Sequence, residues 1–94
     1  MVETQTWYLT EAGMLRAVVS KRLLDRMIRD KMKQIAECGE VEPLPVVWRE
    51  RLGVECNWEV PGWSGANGAA RRCAQRLDAY LAFLGEQFDI PDEV

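Results

Sequence analysis

Apolar residues recur along the chain at two different spacings, and the change from one to the other marks its elements. Two rows at i, i+4 spacing run side by side: Leu15, Val19, Leu23 and Met27 in one, and Leu24, Ile28 and Met32, continued by Ile35 or Ala36, in the other. Adjacent rows give the wide apolar stripe of an amphipathic helix. With Thr10 as N-cap and Gly39 as stop, the pattern predicts a helix over residues 11–37. At 1.5 Å per residue that helix is about 40 Å long. One small domain does not cover such a length, so part of the stripe is expected to need a partner. Charged residues occupy the other face, with Lys21 and Asp25, Asp25 and Arg29, and Arg26 and Asp30 at helical pair spacing.

The period then drops to two. Val54, Cys56, Trp58 and Val60 alternate with Glu55, Asn57 and Glu59, which read as a solvated face. A less regular strand over residues 46–52 precedes them, and Gly53 marks the turn of a hairpin on which Arg and Glu can pair across strands. Pro43 and Pro45 make residues 40–45 a loop. Residues 61–68 form a glycine-rich turn, after which Ala66, Ala70, Cys73, Leu77, Tyr80 or Leu81, Leu84 and Phe88 define a second helix. Ser64 or Asn67 is its expected cap, and Gly85 and Pro91 bracket its end. The threonine- and aromatic-rich segment 4–9 favours a strand. The expected fold is α+β in the order (β)αββα: a small antiparallel sheet packed against two helices. It forms a single domain over residues 1–94, with an N-terminal arm at 1–10 and an acidic tail at 91–94.

Composition narrows the chemistry. The 94 residues are 48% hydrophobic and 29% charged, enough for a core and too apolar for wholesale disorder. No apolar run approaches the roughly 18 residues of a membrane span. The N-terminal Met1-Val2-Glu3-Thr4-Gln5 lacks a basic-then-apolar signal pattern, so a cytoplasmic location without membrane association is expected. There is no histidine, which removes the commonest general base and metal ligand. Cys38, Cys56 and Cys73 are odd in number and widely spaced, and are expected as reduced thiols packed as small hydrophobes. A thiol-based sensor on Cys38 is the third functional alternative. Gly62, Gly65 and Gly68, followed by Arg71 and Arg72, suggest an anion site, but turn chemistry explains the same residues and the phosphate-loop patterns are absent. Ser64 has no histidine to activate it. No enzyme, cofactor or metal is expected.

Charge is more informative. Residues 16–33 hold seven basic and two acidic residues, a local +5 in a chain of net −3, which leaves −8 elsewhere. A basic helix in an acidic protein reads as an ordinary helix face with interleaved ion pairs, as a track for phosphates, or as a surface for the acidic part of a second copy or another protein. Overall negative charge disfavours nucleic acid, which remains the second alternative, through Arg16, Lys21, Arg22, Arg26, Arg29 and Lys33 with Arg71 and Arg72 assisting. Trp63 lies in the glycine-rich turn without an evident burial partner, and exposed tryptophan is enriched at binding hot spots. Arg22, Arg26, Arg29, Lys33, Trp63, Arg71 and Arg72 are therefore the candidate partner-binding residues. Cys56-Asn57-Trp58, a glycine-containing turn, and a helix ending in Phe88-Asp89-Ile90 resemble small uncharacterised proteins of bacterial phages and prophages. The resemblance implies a bacterial or phage origin and modulation of a larger partner, and brings no known activity and no known catalytic residues with it. The resulting expectation is a non-enzymatic protein–protein interaction module, a homodimer acting on a larger partner.

Overall fold

A computed structural model describes residues 6–9, 15–50 and 55–91, with side chains from residue 16 onward. The fold is α+β, with two helices and a small, mainly antiparallel sheet, and it carries more strands than the expected order. Strand β1 (Thr6–Leu9) pairs antiparallel with β2 (Leu15–Val18), and β2 pairs in parallel with β7 (Phe88–Asp89). Helix α1 spans Lys21–Met32, a 3-10 turn follows at Ala36–Cys38, and helix α2 spans Asn67–Gln87. Between the helices lie two short antiparallel ladders: β3 (Glu42–Pro43) with β6 (Trp63–Ser64), and β4 (Val47–Trp48) with β5 (Trp58–Glu59). Among the described residues no helix is long and apolar enough to cross a membrane.

The first helix is less than half its expected length. Leu15, Ala17 and Val19 satisfy a period of two as well as the i, i+4 row. The chain there takes the strand, with Ala17 and Val19 buried and the β-branched Val18 favouring it. Ser20 then starts α1, its hydroxyl accepting the Leu23 N–H at 3.0 Å. Replacing Ser20 with alanine is expected to cost about 1 kcal/mol of stability in a urea titration; the expected Thr10 cap lies outside the described residues. At the other end Ile35 is extended, so the helix breaks before Gly39. The break turns Cys38 towards α2, where it forms a disulfide with Cys73. The expectation of three reduced thiols is thus corrected: Cys38 is buried and oxidised, and Cys56 is the free cysteine.

Among the described residues, the apolar rows from Val19 to Ile35 pack into the core of one chain. Val19, Leu24, Ile28 and Met32 are buried, and Leu23, Met27 and Ile35 pack against the same core, which α2 completes with Cys73, Leu77 and Leu84. Each fully buried leucine or isoleucine contributes about 1.5–3 kcal/mol. Helix length therefore gives no reason for a second copy. Helix α2 departs from expectation at both ends. Its N-cap is Ala66 without a side-chain cap bond, and Ser64 lies in β6 opposite Glu42. Gly85 sits inside the helix instead of ending it. A β-carbon there would lie 3.3 Å from the Cys56 Sγ, so the glycine lets the strand segment press onto the helix. Among the described residues, the turn that requires a glycine conformation is at Gly65, with φ of 150° and the Glu40 carbonyl and Val41 backbone close by.

Asn57, expected on a solvated face, is 2% exposed. Its side-chain amide grips the backbone of Ile90 on both sides: Nδ2 donates to the Ile90 carbonyl at 2.7 Å, and Oδ1 accepts the Ile90 N–H at 2.9 Å. The Asn57 N–H donates to the buried Asp89 carboxylate at 3.1 Å. The Trp58 indole N–H donates to the Phe88 carbonyl at 2.9 Å, and the Val19 N–H to the Asp89 carbonyl at 2.8 Å. Asn57 and Trp58 thus hold residues 88–90, the segment that leaves α2 and joins the N-terminal sheet through β2.

Candidate functional site

Two concave surfaces stand out, of opposite electrostatic character. The first runs along α1. Arg22, Arg26, Arg29 and Lys33 fall at i, i+4, i+7 and i+11, which a period of 3.6 places on one face as a continuous basic ridge. All four are exposed. They border a cleft of about 950 Å³ whose apolar wall includes Met32, Ile35, Val41 and Pro43. The cleft's acidic residues are mostly engaged. Asp25 accepts the Val46 N–H at 3.0 Å, Asp30 pairs with Lys33 at 3.6 Å, and Glu42 pairs with Arg29 at 3.6 Å. Arg22 and Arg26 have no ion pair among the described residues.

The second surface lies between α2 and the strand segment 55–63. It is a groove of about 500 Å³, within the usual range for a binding pocket. Trp63, Val60 and Leu81 supply its apolar lining, and Cys56 and Gly85 lie at its base. Four carboxylates and two guanidiniums line it: Glu55, Glu59, Asp78 and Glu86 against Arg16 and Arg49. Arg49 pairs with Glu55 at 3.4 Å, the cross-strand pair expected of the hairpin. Arg16 is 2% exposed and donates to the Glu55 carbonyl at 3.4 Å. Glu59, Asp78 and Glu86 are exposed and have no ion pair among the described residues.

The structure therefore divides the sequence candidates. Arg22, Arg26, Arg29 and Lys33 come together on the ridge. Trp63 is half-buried, packed against the core and part of the groove's lining, so it seals an edge while remaining accessible from the groove. Arg71 and Arg72 are exposed on the first turns of α2 and line neither surface; the Arg72 guanidinium folds back over Gly68. Arg16, a candidate phosphate contact, is buried on β2 and faces the groove instead of the ridge. A sensor built on Cys38 has no thiol to act through, since that sulfur is in the disulfide. The acidic rim was not among the candidates. Asp78 and Glu86 lie eight residues apart on one helix, which does place them on adjoining faces, but only the fold brings Glu59 beside them.

No family model, curated protein or solved structure matches this chain.

Proposed function

We propose that this chain is a non-enzymatic protein–protein interaction module that works as a homodimer and modulates a larger partner. The observation carrying the reading is the separation of unneutralised charge onto two concave surfaces: Arg22 and Arg26 on one, and Glu59, Asp78 and Glu86 on the other. Complementary faces of this kind steer encounter and fix orientation, and one chain supplies both. Phe83 is 52% exposed on α2 and offers an apolar anchor for a larger partner. A modulating role fits the likeness of residues 56–58 and 88–90 to small phage and prophage proteins. A cytoplasmic location remains part of the proposal, and there the Cys38–Cys73 bond would face a reducing thiol pool.

Light scattering on the full chain at low salt, from low to high micromolar concentration, tests the dimer. A mass rising to twice the 10.8 kDa of one chain is expected. A single-chain mass across the whole range would overturn it. The linear ridge on α1 favours one second reading, contact with a phosphate backbone. Retention on DNA or RNA at low salt, lost in an Arg22→Glu/Arg26→Glu variant, would move the assignment there.

A further inference from the structure

We propose that the groove beside Trp63 receives the Arg22 and Arg26 guanidiniums of a second copy of this chain. The inference rests on the dimer reading above and names its interface. The groove combines a tryptophan in its lining with Glu59, Asp78 and Glu86, which have no ion pair among the described residues, while Arg49 is held by Glu55. A carboxylate rim around an aromatic wall suits arginine better than any other side chain. Its planar guanidinium stacks on an indole face while its N–H groups donate to carboxylates, and its weaker hydration lowers the cost of entering a partly apolar site. Arg22 and Arg26 are one helical turn apart, about 6 Å along the axis, so both heads can address one groove. Among the described residues they are also the ridge cations without an ion pair, whereas Arg29 and Lys33 have carboxylate partners. A two-fold axis uses the contact twice, ridge to groove and groove to ridge, and closes the assembly at two copies.

Charge exchange tests the pairing. All four side chains to be changed are exposed, so folding is expected to survive, which circular dichroism checks. One variant is Arg22→Glu/Arg26→Glu and the other is Asp78→Lys/Glu86→Lys. Each alone is expected to weaken self-association about a hundredfold, because two like-charged contacts replace two attractive ones. An equimolar mixture is expected to recover the dimer, since each variant then meets its opposite charge. Arg22→Lys/Arg26→Lys keeps the charge but loses the planar stacking, and is expected to weaken the dimer about tenfold. If the reversed variants dimerise as the wild type does, the interface is wrong while the dimer stands. If both become monomeric and the mixture stays monomeric, these groups do not face each other. If the wild type is itself monomeric, the dimer reading fails with the interface.

Discussion

Replacing Asn57 with alanine is expected to lower stability by about 4 kcal/mol, most of the margin of a domain this small. The truncation leaves the Ile90 N–H and carbonyl without the partners they have now, in a place where Asn57 is 2% and Ile90 1% exposed. Each orphaned backbone group costs about 1–3 kcal/mol, and the lost packing adds to it. Asn57→Asp keeps the shape but turns the donor that faces the Ile90 carbonyl into an acceptor, so it is expected to be no better than alanine. Urea titrations of the three proteins give the comparison. A loss below about 1 kcal/mol for Asn57→Ala would mean that the end of α2 is held by packing alone.

Breaking the Cys38–Cys73 bond is the second large effect. The bridged residues are 35 apart in sequence, and closing a loop of that length is worth about 3.8 kcal/mol of denatured-state entropy at 25 °C. The bond joins the 3-10 turn after α1 to the second turn of α2, a junction that also has the Arg76–Glu37 ion pair at 2.8 Å. Arg76 and Glu37 are both solvent-accessible and contribute little. Adding a thiol reductant, or making Cys38→Ala/Cys73→Ala, is therefore expected to lower the unfolding free energy by about 3–4 kcal/mol, with Cys56 unaffected. Equal urea midpoints with and without reductant would show that the cross-link is dispensable.

These two effects fall where the sequence was least readable. The core of α2 was legible because Cys73, Leu77, Tyr80 or Leu81, and Leu84 recur at three- and four-residue steps, and Cys73, Leu77 and Leu84 are buried. The α+β class was legible from the change of period near residue 54. The start of α1 was not, because Leu15, Ala17 and Val19 fit a strand as well as a helix, and the decision came from pairing with Thr6–Leu9 and Phe88–Asp89. Asn57 was misplaced because alternation gives a polar residue to the solvated face. An amide that both donates and accepts can instead cap a passing backbone, but only the fold supplies that backbone. The disulfide escaped for a related reason: spacing does not say which distant cysteines meet, and the break at Ile35 brings Cys38 to Cys73. On the surface, the ridge of Arg22, Arg26, Arg29 and Lys33 was visible in the helical period. The groove was not, being assembled from β5, β6 and α2.

Cys56 gives the most direct measurement of whether a second copy fills that groove. It is the one free cysteine, half-buried at the groove's base beside Gly85. Its alkylation rate is to be followed on the wild-type chain at low salt, from nanomolar to high micromolar protein, with reagent in constant excess. The expected result is a rate per thiol that falls as concentration rises and recovers when salt is added. A rate unchanged across concentration and salt would contradict an interface through this surface.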